Sequence, residues 1–151
     1  MSTRDREGCD RDGSDGDGPV AHRIRLDPDP TAAAHYSPGF RIGDLVIVSG
    51  QAALDPNGNT VGAGDFDAQA EQVFANLRRV LEAAGSSLDR VVKVTIYLTD
   101  MANFPKIVQL RARHFSEPWP ADTIVEVRAL ARPELQLEIE AIALAGGRLV
   151  A

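Results

Sequence analysis

FDAQAEQVFANLRRVLEAAGSSLDRVVKVTIYL, residues 66–98, changes its hydrophobic period partway along. Phe66, Ala70, Val73, Phe74, Leu77, Val80, Leu81 and Ala84 recur at spacings of three and four. That spacing lays them on one face of a helix of about five turns. Asp65 has the short acceptor side chain of an N-cap, and Gly85 suits the C-terminal cap. From Val91 the period becomes two. VVKVTIYL, 91–98, is rich in β-branched residues and predicts a strand.

On the N-terminal side, His22 to Leu26 alternates as a short strand stopped by Asp27-Pro28 and Pro30. GFRIGDLVIVSG, 39–50, holds a turn at Gly43-Asp44 and a strand at Leu45–Val48. LDPNGN, 54–59, has the proline and Asn-Gly of a hairpin turn. On the C-terminal side, Asp100 to Phe115 predicts a second helix, with Pro105 tolerated in its first turn and Phe104, Ile107, Val108 and Phe115 inward. After Pro118 and Pro120, a strand places Thr123, Val125 and Val127 on one face and Asp122, Ile124 and Glu126 on the other. LQLEIEAIAL, 135–144, closes the chain as a last strand. Two helices cover only one face of a sheet of five or six strands, so the second face meets water or another subunit. On 135–144 that second set, Gln136, Glu138, Glu140, Ile142 and Leu144, turns from polar to apolar, which favours a subunit interface.

The composition is that of a soluble domain with a core: 151 residues, 44% hydrophobic and 25% charged. No apolar run reaches membrane-span length, no apolar leader is visible, and the single Cys9 forms no internal disulfide. These features predict a cytoplasmic protein that does not engage the membrane. The formal net charge of −6 disfavours nucleic acid as a partner. Residues 1–19 carry three Arg, six Asp or Glu and four Gly with almost nothing apolar, and read as a disordered acidic tail before a domain at 20–151.

Several motifs, in order, carry a resemblance. They are Gly43–Gln51 (GDLVIVSGQ), Asn76–Gly85 (NLRRVLEAAG), Val92–Asp100 (VKVTIYLTD) followed by Phe104, Pro120-Ala121, Val125-Glu126-Val127, and EIEAIA at Glu138–Ala143. Together they resemble the Rid family of reactive intermediate deaminases (the RidA/YjgF group, also labelled L-PSP endoribonucleases). The resemblance implies an α+β, chorismate-mutase-like fold: a mixed sheet with two helices on one face, assembled as a homotrimeric barrel. It implies a small-molecule ligand in a cleft at each subunit interface. It also implies hydrolysis of 2-imino or 2-enamino acids with neither metal nor organic cofactor. The family's site tyrosine falls on Tyr36, thirteen residues before Ser49, although Ala34-His35 replace its usual Gly-Pro. Ser49 and Gly50 match, and Glu138 takes the water-positioning place. The carboxylate-binding arginine of the P-A-R-(S/T)-x-V-E-V motif corresponds to Asp122, the small-residue position to Ile124, and the preceding aromatic to Trp119. An aspartate there repels a carboxylate and favours an amine, guanidine or hydroxyl-bearing ligand.

Each residue has a plainer reading. Tyr36 can pack, Glu138 can pair with Arg128, and Asp122 can cap the turn after Pro120. His35 is a candidate base that a strand-end position does not require, and His114 suits the negative end of a helix. The three His and one Cys show no metal-ligand spacing, SGQ lacks a nucleophile elbow, and GNTVGAG has no following Lys-Ser/Thr for a phosphate cradle. Three functions remain: an imine or enamine hydrolase or tautomerase with altered specificity, a non-catalytic metabolite-binding or regulatory trimer, and a ribonuclease. The acidic chain, without a basic-aromatic surface, counts against the last.

Overall fold

The computed structural model describes residues 18–151, so the tail expected at 1–19 lies almost wholly outside it. Six strands form one sheet: β1 (Ala21–Arg23), β2 (Gly39–Ile42), β3 (Leu45–Ala52), β4 (Val91–Leu98), β5 (Ala121–Glu126) and β6 (Leu137–Leu144). Their order is β1-β2-β3-β6-β4-β5. Every pairing is antiparallel except β4–β5. That parallel pair needs a crossover, which is α2 (Phe104–His114); α1 (Phe66–Ala83) joins β3 to β4. The last strand, β6, inserts between them and carries the centre of the sheet.

Both ends of α1 are held as the sequence predicts. Asp65 is extended and its carboxylate accepts the Ala68 N–H at 3.1 Å. At the other end Gly85 takes φ 77°, and the N–H groups of Gly85 and Ser86 donate to Glu82 O and Leu81 O at 3.0 and 2.8 Å. A side chain at Gly85 would strain this left-handed cap. Phe66, Ala70, Val73, Phe74, Leu77, Val80 and Leu81 are buried against Val46, Val48, Leu137, Ile139 and Ala141.

The second helix departs from expectation. A short 3₁₀ turn, Met101–Asn103, precedes it, and its buried residues are Ile107 and Leu110, with Phe115 just beyond. Phe104 and Val108, expected inward, are 43% and 49% exposed. A helix lying over the β4–β5 end of a sheet buries a narrow stripe, and these two fall outside it. His114 is also not the charged complement of the helix end. It stacks on Phe74 with ring centroids 4.0 Å apart. Burial lowers its pKa against a weaker raising effect of Glu71, so it is neutral at pH 7. Strand β2 was not anticipated; four residues opening on glycine give too short a periodic signal.

The two sheet faces differ. Val94, Ile96 and Leu98 on β4 face the helices and are buried. Register places Asp122, Ile124 and Glu126 beside them, hence on the helix side. Among the described residues, no helix lies over the opposite face. Phe40, Leu45, Ile47 and Val125 lie there, each about two-fifths exposed. One fully buried amide ties the core to the loops. Gln69 Nε2 donates to Gly62 O at 3.0 Å and Glu134 O at 2.7 Å, and its Oε1 accepts the Gln136 N–H at 2.8 Å.

Candidate functional site

A cavity of about 480 Å3 opens between the 26–38 segment, β3, the 54–58 turn, α1 and the approach to β6. Its lining includes Tyr36, Ser49, Gly50 and Glu138, which the sequence places far apart. Two local features bring them together. The register of β3 against β6 shifts between Val48 and Gln51, so Ser49-Gly50 forms an irregularity in the strand. Its Ser49 then sews down the preceding segment: Ser49 Oγ donates to Ser37 O at 2.7 Å and Ser49 N to Pro38 O at 3.0 Å.

The segment carrying Tyr36 is fixed further back. Arg23 Nη2 donates to Asp29 Oδ2 at 2.6 Å and Arg23 Nε to Ser37 Oγ at 3.0 Å. Asp29 Oδ1 accepts the Thr31 N–H and hydroxyl at 2.9 and 2.7 Å. Partial burial would raise the Asp29 carboxyl, but the Arg23 and Thr31 hydrogen bonds outweigh it and hold it below its ordinary value. His35 adopts the left-handed φ of 57° at this bend and does not line the cavity. On the other wall, Asn76 Nδ2 donates to Ala52 O at 2.9 Å and Leu54 O at 2.8 Å, joining α1 to the chain leaving β3.

Glu138 sits against Gly50. A Cβ built on Gly50 would lie 1.9 Å from Glu138 Oε1, so only glycine leaves the carboxylate room over the backbone there. Burial, then the neighbouring Glu140, push the Glu138 carboxyl above its ordinary value. Tyr36 is raised by burial, then by Glu138 and Asp29, so its phenol stays protonated as a donor. Tyr97, registered opposite Glu138, is raised by burial, then by Glu140 and Glu138.

The other sequence candidates lie elsewhere in the subunit. Asp122, Ile124 and the 54% exposed Trp119 are outside the cavity lining. The Asp122 side chain is 18% exposed although its edge-strand backbone is open, and its Oδ2 lies 2.7 Å from Arg111 Nε on α2. Glu126 Oε2 accepts the Met101 N–H at 2.8 Å, supporting the 3₁₀ lead-in to α2. Both carboxylates on that face therefore serve α2 within this subunit. Arg128 follows β5, which β4 separates from β6, so it is not placed on a strand neighbouring Glu138.

Two cations that sequence reasoning missed do line the cavity, Arg79 and Arg132. Asn76 was missed too, although a polar residue between Val73 and Val80 on an otherwise apolar stripe is a visible signal. Among the described residues, no group of three or more His, Cys, Asp and Glu gathers as a metal would require, and no helix is long and apolar enough to cross a membrane.

Residues 27–145 match the family model described as Endoribonuclease L-PSP. A RutC family protein of Pyrococcus horikoshii is 41% identical over 114 residues, covering 76% of this chain and 90% of its own. The 2-iminobutanoate/2-iminopropanoate deaminase of Mus musculus is 35% identical over 117 residues, 78% of this chain and 86% of its own. The crystal structure of RidA from the Antarctic bacterium Psychrobacter superposes with a TM-score of 0.74 at 39% identity, covering 82% of this chain and 98% of that one.

Proposed function

The chain belongs to the L-PSP endoribonuclease family, which includes the RidA proteins, and from that membership and its cavity we propose that it hydrolyses small imines or enamines. The observation that carries the proposal is the Glu138 carboxylate, seated over Gly50 in one cavity with Tyr36 and raised above the usual carboxylate range. The mouse relative is named for this reaction class. A raised carboxylate is a better base toward water than an ordinary one.

In the proposed step, ionised Glu138 accepts a proton as water adds to the imine carbon. The C=N bond becomes C–N, giving a carbinolamine. With the imine protonated on nitrogen, the proton taken by Glu138 passes to the carbinolamine nitrogen. The C–N bond then breaks, ammonia leaves, and the carbinolamine hydroxyl gives its proton back to Glu138, leaving a carbonyl. The Tyr36 phenol supplies a hydrogen bond. The step needs no electron acceptor.

The same proposal includes assembly. Phe40, Leu45, Ile47 and Val125 leave an apolar sheet face open, which supports a homotrimer packed through that face, with the exposed Trp119 available to a neighbouring subunit; Asp122 and Ile124, on the helix side, are not part of that contact. Light scattering is expected to give three times the 16.2 kDa chain mass; a monomer would remove this part. For the chemistry, the imine is generated by an amino-acid oxidase and its decay followed under semicarbazide trapping. The wild type should accelerate decay, and Glu138→Gln should lose about 100-fold or more. A wild type that binds 2-oxo acids without accelerating decay would instead support the non-catalytic binding trimer, the reading that Asp122 at the motif's arginine position favours.

A further inference from the structure

We infer that Arg132 is the anion anchor of this cavity, so that its ligand carries a carboxylate despite Asp122 at the motif's arginine position. The inference rests on the proposed use of the cavity as the reacting site. Three observations lead to it.

First, Asp122 does not present a free negative charge to the cavity of its own subunit. It is outside the lining and its carboxylate is met by Arg111 at 2.7 Å. The repulsion expected from the motif alone is therefore neutralised at its source.

Second, the charges that do line the cavity are Arg79, Arg132, Asp55 and Glu138. Asp55 is turned onto its own loop: Oδ1 accepts the N–H groups of Asn57 and Asn59 at 2.9 and 2.8 Å, and Oδ2 accepts Asn59 Nδ2 at 3.1 Å. Arg79 Nη2 donates to Pro28 O at 2.6 Å, bracing the 26–38 segment. Among the described residues lining the cavity, Glu138 is then the one carboxylate not already occupied, set against two guanidinium groups, a balance that favours an anion.

Third, Arg132 is oriented. Its Nη1 donates to Thr60 Oγ1 at 3.1 Å, and the Thr60 hydroxyl donates onward to Glu134 Oε1 at 2.7 Å. With its proton committed to Glu134, Thr60 can only accept from Arg132. Among the described residues no other hydrogen bond or ion pair engages the Arg132 guanidinium, which leaves Nε and Nη2 to fork onto a carboxylate. Pro133 and the Gln69 contacts to Glu134 O and Gln136 N hold the segment that carries it.

The test is calorimetric binding to the full chain, independent of turnover. The probes are 2-oxobutanoate and the neutral ketone 2-butanone. Wild type should bind the oxo acid and show no comparable affinity for the ketone. Arg132→Gln should weaken oxo-acid binding roughly tenfold or more. Arg132→Lys, which keeps the charge and loses the fork, should fall between. Thermal unfolding checks that each variant folds; if Arg132→Gln does not, Arg132→Lys alone decides, and wild-type affinity in it overturns the inference. Unchanged binding by Arg132→Gln, loss on Arg79→Gln instead, or no oxo-acid binding by wild type also overturns it. Arg132-dependent binding without imine hydrolysis would uphold the anchor while removing the proposed reaction.

Discussion

Placing a single methyl group on Gly50 should abolish most activity while leaving the fold intact. The Cβ of Gly50→Ala would fall 1.9 Å from Glu138 Oε1, 2.8 Å from Cδ and 3.1 Å from Cγ. Carbon and oxygen atoms rest about 3.5 Å apart, so the carboxylate must retreat by about 1.5 Å. The glutamate can move by rotating its own side chain, and Gly50 φ is not in the left-handed region, so backbone strain is absent. The stability cost should stay within about 1–2 kcal/mol, a few degrees in Tm for a domain of this size. Activity is far more sensitive, since a displacement of about 1 Å at a reacting group costs about 100-fold. The assay is imine decay under semicarbazide trapping, run as a double-mutant cycle with Glu138→Ala. Alone, Gly50→Ala should lower kcat/KM about 100-fold; added to Glu138→Ala it should cost almost nothing, because there is no carboxylate left to displace. Full activity in Gly50→Ala, or additive losses in the double mutant, would refute the placement of Glu138 as the reacting base.

Because burial and Glu140 raise the Glu138 carboxyl, its base form is gained at higher pH than in a free glutamate, and kcat/KM should climb with pH as Glu138 ionises, as a pH–rate profile will show. The folded state binds this proton more tightly than the unfolded chain, so the ionised group weakens the fold at neutral pH and the penalty disappears as pH falls below the unfolded value. Glu138→Gln should accordingly raise Tm at pH 7, with the difference vanishing near pH 4. Asp122→Arg, which the motif alone suggests as a gain of function, should instead set two guanidinium groups together and cost about 1–3 kcal/mol. The exchange Arg111→Asp with Asp122→Arg should recover most of that in thermal unfolding. Asn76→Ala leaves the carbonyls of Ala52 and Leu54 without their donor and should cost about 1–3 kcal/mol in denaturant unfolding.

The sequence was most legible where local signals agreed. Helix α1 had its period, its Asp65 cap and its Gly85 terminator, and all three stand as expected. The uncovered sheet face followed from counting helices against strands. Helix α2 was misread in phase, because Phe104 and Val108 look inward in a full-width amphipathic pattern and only its position over the end of the sheet makes the buried stripe narrow. In the candidate site, motif resemblance gathered Tyr36, Ser49, Gly50 and Glu138, but nothing local marked Arg132. An arginine six residues before Glu138, on an irregular segment, gains its place only when Thr60 comes to meet it from 72 residues away. Asp122 shows the converse: its motif position was clear, and its partner on α2 was not.

Gln69 bears on how the cavity breathes. Its amide spans three backbone groups, two of them flanking the 134–136 segment just after Arg132, and its side chain has no exposure to solvent. A glutamate there would lose the donor to Gly62 and Glu134, and a leucine would lose all three contacts. Opening this rim means breaking bonds inside the core, so the Gln136 amide proton should exchange with solvent as slowly as those of β6, on the timescale of global unfolding. A ligand entering the cavity then meets a wall tied to the core on this side, and entry and exit fall to the 26–38 side, where Arg23 holds Asp29 and Ser37 through exposed contacts.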